Sequence, residues 1–228
     1  MKMKILSLIT AGFLLASQSH AQSGARIQVG LNLANVSVTD NGKVNDANTL
    51  NSFQVGLVGD VRLGSVLYFQ PGLLYTGKGS KVQNGNTSGN YYKETFNPHY
   101  IEMPLNFVAK IPLGVTKVFV GAGPYVAVGV SGKSKVEGSY AGVGFSNEND
   151  IKFSNDDPTT LNYEEGAGFG IMKRFDYGLN GTVGIEGKSL LLGVNYGLGL
   201  AKLQSGANSS ENDNNKNRVF SIILGIKL

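Results

Sequence analysis

The sequence predicts an all-β chain, an eight-stranded antiparallel up-and-down transmembrane β-barrel with short periplasmic turns and long extracellular loops. Three observations predict it. Eight segments alternate apolar and polar residues with period two. The gaps between them are alternately short and long. A cleavable export signal precedes them. One segment shows the first point clearly: Val118, Val120, Ala122, Pro124, Val126, Val128 and Val130 share one face, and Phe119, Gly121, Gly123, Tyr125, Ala127 and Gly129 share the other.

In chain order, the first expected strand is Ala25–Val38, with Ile27, Val29, Leu31 and Leu33 on its apolar face. The second, Asn51–Leu63, carries Phe53, Val55, Leu57, Val61 and Leu63. The third, Val66–Gly77, carries Leu67, Phe69, Leu73 and Tyr75. Phe96–Ile111 follows with Ile101, Met103, Leu105, Phe107 and Ala109, and then Lys117–Ser131, described above. The sixth, Met172–Glu186, shows Phe175, Tyr177, Leu179, Val183 and Ile185. Ser189–Leu203 shows Leu190, Leu192, Val194, Tyr196, Leu198 and Leu200. Arg218–Leu228 closes the series with Phe220, Ile222, Leu224, Ile226 and Leu228.

Three connections are short: Gly64–Val66, Pro112–Thr116 and Gly187-Lys188. Four are long and polar: Thr39–Leu50, Lys78–Thr95, Gly132–Ile171 and Gln204–Asn217. Parity around the turns predicts three residues between Leu63 and Leu67. It also allows a two-residue turn at Gly187-Lys188 that sets Glu186 opposite Ser189, with Gly187 leading a type II′ hairpin.

The chain start, Met1-Lys2-Met3-Lys4, an apolar run from Ile5 to Ala16 and Ser19-His20-Ala21, has the layout of a Sec-type signal peptide. Residues 1–21 are expected to be that peptide, cut between Ala21 and Gln22, and residues 22–228 a single outer-membrane β-barrel domain in a Gram-negative bacterium. The sequence has no cysteine, which excludes a lipid-anchored lipoprotein, a disulfide framework and a thiolate metal site. It has no apolar run long enough for a membrane helix. Loss of Lys2 and Lys4 lowers the formal charge from +4 to +2, too small an excess to suggest nucleic acid as a partner.

Alternation alone does not say which face is outermost. A lipocalin-like soluble barrel is apolar inside, a membrane barrel apolar outside. The face opposite the Leu, Val, Ile and Phe residues is small and polar, with Gln28, Gly30, Asn32, Gln54, Gly56, Gln70, Asn106, Gly121, Asn180 and Asn195 among its residues. That mixture suits a narrow filled interior. Arg26, Asp60, Arg62, Glu102, Lys110, Glu186 and Lys227 have the same inward parity, mostly near the periplasmic ends of their strands. Confined together, opposite charges can pair; the expectation is a salt-bridged plug, the alternative an ion path. Outward Phe53, Phe69, Tyr75, Phe107, Phe175, Tyr177 and Phe220 lie toward strand ends, as interfacial girdles do.

Catalytic chemistry is weakly represented. His20 falls in the signal, which leaves His99 for imidazole chemistry, with Ser80 or Ser88 as nucleophile and Glu94 or Glu102 as orienting acid. No spacing supports that triad, and a locally bonded loop-edge histidine is the plainer reading. Gly132-Lys133-Ser134 and Gly187-Lys188-Ser189 lack the earlier glycine of a phosphate loop, with Ala127 and Thr182 in its place. Glu148, Asp150, Asp156, Asp157, Glu211 and Asp213 lack calcium-loop spacing and suit solvated loops. No catalytic, cofactor or metal residue is therefore assigned, and no cofactor is expected.

Tyr100-Ile101-Glu102-Met103-Pro104-Leu105, Gly121-Ala122-Gly123-Pro124-Tyr125, Arg174-Phe175-Asp176-Tyr177-Gly178 and Val194-Asn195-Tyr196-Gly197-Leu198 resemble segments of the PorT-like outer-membrane β-barrel family of Bacteroidetes. Gln28-Val29-Gly30-Leu31-Asn32 and Leu67-Tyr68-Phe69-Gln70-Pro71 fit as well. The resemblance implies an eight-stranded, lidless barrel without catalysis, some of whose relatives take part in secretion. Such barrels commonly end on an aromatic residue, whereas this sequence ends Ile226-Lys227-Leu228. The expected role is structural or loop-mediated, accessory to secretion or envelope maintenance. Expected partners are outer-membrane lipid and a protein met through the extracellular loops, with the barrel itself a monomer. The alternatives are a lipid- or peptide-hydrolysing enzyme using His99, a small pore, and a soluble periplasmic carrier barrel.

Overall fold

The computed structural model describes residues 24–40, 43–46, 49–85, 89–154, 171–203 and 216–228. The expected signal peptide and its cut between Ala21 and Gln22 lie outside the described residues. Among those residues the chain forms thirteen strands and no helix. They are β1 Gly24–Asp40, β2 Lys43–Asp46, β3 Leu50–Arg62, β4 Leu67–Gly77 and β5 Ser80–Gly85. Next come the two long strands β6 Tyr91–Leu113 and β7 Thr116–Tyr140, then β8 Val143–Asp150, β9 Lys152–Phe153 and β10 Ile171–Met172. The last are β11 Phe175–Glu186, β12 Leu190–Gly199 and β13 Lys216–Lys227.

Eleven strands belong to one sheet, and β9 pairs with β10 in a second, parallel one. Antiparallel pairings run from β1 through β3, β4, β6, β7, β11, β12 and β13 back to β1, so the main sheet closes on itself. Closure satisfies the backbone groups that a hydrocarbon environment would leave without partners. β3, β4, β11, β12 and β13 have 10 to 13 residues, enough for a tilted strand to cross a bilayer.

The eight-stranded up-and-down barrel expected from sequence is corrected. The structure is all-β and barrel-like, but five of the thirteen strands lie wholly or partly in segments expected to be loops. β2 falls in Thr39–Leu50, β5 in Lys78–Thr95 and β8 and β9 in Gly132–Ile171, while β10 straddles the end of that last segment. β6 and β7 also run far past their expected ends. The reason is physical. Beyond Ser131 residues of both parities are mostly polar or small, so Lys133, Ser134, Lys135, Val136, Glu137 and Gly138 lack the apolar–polar contrast that marks a half-buried strand, although the backbone still pairs.

The turns are partly as parity predicts. The amides of Leu63 and Gly64 donate to the carbonyl of Leu67, so three residues do link the opposed pair. The Gly187-Lys188 turn is corrected. Ile185 pairs with Leu192, Glu186 with Leu191, and the Gly187 amide donates to Leu190 O at 2.8 Å, which centres the turn on Lys188-Ser189. A slip of one residue reverses every face, but a slip of two preserves them all, so parity could not separate the two registers.

Burial settles the orientation of the faces. Gln28, Asn32, Gln54, Gln70, Thr182 and Ser221 are buried, whereas Leu31, Leu57, Phe107, Val120, Leu192 and Ile222 are exposed. The molecule is apolar outside and polar within, the inverse of a water-soluble barrel.

Candidate functional site

The lumen is built in layers. At the end holding both described chain termini and the short turns, Lys110 forms ion pairs with Asp60 and, at 2.7 Å, with Glu186. Lys227 reaches Glu186 at 2.5 Å and donates to Gly187 O. Arg26 is buried and bonds to Gln28 and Gln70, and Gln70 Nε2 donates in turn to Asp60 at 2.9 Å. Arg62 sits at the exposed rim and donates to Gly64 O. A recess of about 230 Å³ opens there, lined by Arg26, Asp60, Arg62, Tyr68, Lys117, Glu186 and Lys227 among others.

Above this layer the buried side chains of Val108, Phe119, Leu191 and Ile223 pack into an apolar plug. Asn32 then crosses the lumen, donating to Thr76 Oγ1 and Gly77 O at 2.9 Å and accepting from Ser221 Oγ. The next layer centres on Lys78, which is 3% exposed and lies 2.8 Å from Glu102 and 2.9 Å from Asp176. Its ammonium stands 4.1 Å from the centroid of the Tyr125 ring. Tyr125 Oη and Asn217 Nδ2 donate to the same Asp176 oxygen. Two carboxylates and an aromatic face surround the buried ammonium, and two neutral donors reach Asp176, so the charges are paired away from water.

At the outer mouth Ile151, Met172 and Leu203 are buried together, with Val36, Phe96 and Phe153 against them. Phe153 meets Tyr100 edge-on at 5.9 Å, and its ring occupies the space that a Cβ on Gly129 would fill. The barrel is therefore covered at this end, unlike the lidless form that the resemblance implies.

Of the seven interior charges expected from parity, Asp60, Lys110, Glu186 and Lys227 are brought into one cluster, with Arg26 joined through Gln70. Glu102 lies apart with Lys78, and Arg62 bonds within its own turn. Lys78 and Asp176 were missed. The sequence pattern ends the third expected strand at Gly77 and leaves Lys78 in a loop, yet Leu74, Thr76 and Lys78 keep one parity and are all buried. Asp176 lies between outward Phe175 and Tyr177, so parity alone marks it as inward.

His99 faces away from Glu102, one of the two acids offered to orient it. Its ring stacks on Tyr75 at 5.2 Å and lies 6.0 Å from Phe53, among outward aromatics, while Glu102 is in the lumen with Lys78. Ser88 lies outside the described residues. Among the described residues no group of three or more His, Cys, Asp or Glu could hold a metal ion.

Outside the membrane the sheet changes character at a register shift between His99 and Tyr100. Below it the outer face carries exposed Val126, Val128 and Val130. Above it Lys133, Lys135 and Glu137 pair with Asn97, Thr95 and Lys93. Lys93 and Lys135 both bind Glu137, at 2.8 and 2.7 Å, and Lys133 binds Glu148 at 2.5 Å. Hydrogen bonds from Lys135 and Lys93 pull the Glu137 carboxyl down to about 2. The Glu148 bond pushes the Lys133 ammonium above its ordinary value. β5, the outer parts of β6 and β7, and β8 thus stand as a hydrated sheet beyond the barrel, with β8 exposed along its whole length.

Residues 16–205 match the outer membrane protein beta-barrel domain family. The chain belongs to that family. As a member of the outer membrane protein beta-barrel domain family it resides in the outer membrane of a Gram-negative bacterium. Its structure is similar to Ail, the attachment invasion locus protein of Yersinia pestis, at 12% identity and a TM-score of 0.41, covering 90% of this chain and 99% of that one. Neisserial surface protein A is similar at 11% identity and TM-score 0.41, with 90% and 97% covered. The outer membrane protein OprG from Pseudomonas aeruginosa is similar at 15% identity and TM-score 0.41, with 90% and 96% covered. No curated protein matches the chain.

Proposed function

We propose that this outer-membrane protein is a closed scaffold that acts through the hydrated sheet it holds above the bilayer. One observation carries the reading: the outer face of β6 and β7 turns from apolar to charged beyond Val130 while strand pairing continues to Ser139. A segment with no interaction to make could remain a short turn; here an ordered ribbon with an exposed outer strand is presented instead. The apolar plug of Val108, Phe119, Leu191 and Ile223 argues against a small pore. The polar lumen argues against a carrier of apolar ligands. The finer resemblance to PorT-like barrels supports an accessory role in secretion or envelope maintenance. The interior charges Arg26, Asp60, Lys110, Glu186 and Lys227 serve this role as a register-setting plug rather than an ion path.

The test is to replace residues 134–149 with Asn-Gly, so that Lys133 and Asp150, already paired, face each other across a two-residue turn. The shortened protein is expected to insert and to keep heat-modifiable gel mobility. In cells it should reproduce the envelope defects of a complete deletion. Full rescue by the shortened barrel would show that the extracellular sheet is dispensable and sink the proposal.

A further inference from the structure

A second feature lies on the outer wall, away from the ribbon. On β11, β12 and β13 the outward parity of the apolar residues continues past the hydrocarbon band into lysine. Lys173 precedes exposed Phe175 by two residues, Lys202 follows exposed Leu200 by two, and Lys216 precedes exposed Phe220 by four. Lys173, Lys202 and Lys216 line one open recess of about 470 Å³, together with Phe175, Tyr177, Leu200 and Ala201. Among the described residues no carboxylate lines it. All three lysines are half-buried, and none forms an ion pair among the described residues, whereas Lys78, Lys93, Lys110, Lys133, Lys135 and Lys227 all do. Arg218, of the same parity, adds charge nearby, with its Nη1 donating to Gly199 O and Asn217 O.

Three ammonium groups clustered at one site, without a carboxylate partner among the described residues, repel one another, and the cluster is best matched by an anion that bridges them. Its position says what kind. Phe175 is 64% exposed and Tyr177 54%, so acyl chains cover them in the membrane. The lysines stand one step farther out, at the level where headgroup phosphates begin. We propose that this recess holds the phosphate-bearing headgroup of a phosphorylated, multiply acylated lipid of the outer leaflet. Its phosphate lies among Lys173, Lys202 and Lys216 and its chains against Phe175, Tyr177 and Leu200. The inference rests on outer-membrane residence and not on the role of the extracellular sheet, so the two can fail separately.

The experiment reconstitutes the mature protein into phosphatidylcholine nanodiscs doped with a bis-phosphorylated lipid A or with the same lipid stripped of phosphate. Lipid retained per protein after transfer to detergent is then measured by mass spectrometry. The phosphorylated lipid should be retained about tenfold or more over its stripped counterpart, given roughly a few-fold for each lysine at an anionic surface. The K173Q/K202Q/K216Q variant should retain both lipids equally while K81Q/K188Q behaves as wild type. Heat-modifiable mobility reports folding, and if the triple variant misfolds, each single variant should still lose about three- to fivefold. Equal retention of the two lipids by the wild type would overturn the proposal. So would wild-type retention by the folded triple or single variants. Complete displacement by excess inorganic phosphate would reduce the recess to a simple anion site and overturn it as a lipid site.

Discussion

At Glu137 two ammonium groups converge on one carboxylate, and the consequence is a pH dependence confined to the extracellular sheet. Its folded-state value is depressed from the ordinary 4.5 to about 2 by the Lys135 and Lys93 hydrogen bonds. A depressed carboxylate stabilises the fold fully above its unfolded value and loses that contribution as pH falls through the folded one. Amide hydrogen exchange in residues 133–139 should therefore be constant above about pH 4.5, after correction for intrinsic rates, and become less protected toward pH 2. In Glu137→Gln that acid-dependent loss should shrink. Gly129 is a second case. A side chain there would place its Cβ 2.2 Å from the Phe153 ring, so Gly129→Leu should expel Phe153 from Tyr100 at a cost of about 1–3 kcal/mol. The urea midpoint measures the cost, and loss of the Phe153–Tyr100 ring contact by NMR identifies its source.

Among the elements, the Lys78 cluster ties together four parts of the wall that are distant in sequence. Lys78 follows β4, Glu102 is on β6, Asp176 on β11 and Asn217 on β13. Lys78→Met removes the one cation the two carboxylates share and leaves them buried 1% and 9% exposed. The expected loss is about 3–5 kcal/mol in urea unfolding of the refolded protein. A loss under about 1 kcal/mol would mean that the cluster does not hold these strands together. The strands differ in how plainly the sequence announces them. β3, β11, β12 and β13 bury one face against the lumen and turn the other to lipid, so alternate residues contrast along most of their length, except where the lumen face is itself apolar, as at Leu191 and Ile223. β8 has the exposure pattern of a surface segment at every position, and its pairing with β7 rests on backbone hydrogen bonds and the Lys133–Glu148 ion pair. Such a strand carries no side-chain contrast to read.

For the molecule as a whole, the plug of Val108, Phe119, Leu191 and Ile223, the Lys78 cluster and the Ile151, Met172 and Leu203 cover close the lumen in series. Planar-bilayer recordings should show no steady single-channel steps, and reproducible steps from pure, folded protein would contradict a closed interior. Membership of an outer-membrane family, an all-β wall and the direction of its faces followed from local order in the chain. Period-two contrast between Leu31 and Asn32, or between Leu192 and Gly193, records the boundary between lipid and lumen wherever both are present. Three things did not follow from it. Strand number was underestimated because segments in water lack that boundary. The Lys188-Ser189 turn was misplaced because a two-residue slip leaves the faces unchanged. The grouping of Lys78, Glu102 and Asp176 was invisible because closure of the sheet brings together residues as many as 98 positions apart, and no local pattern encodes which distant side chains will share a dry interior.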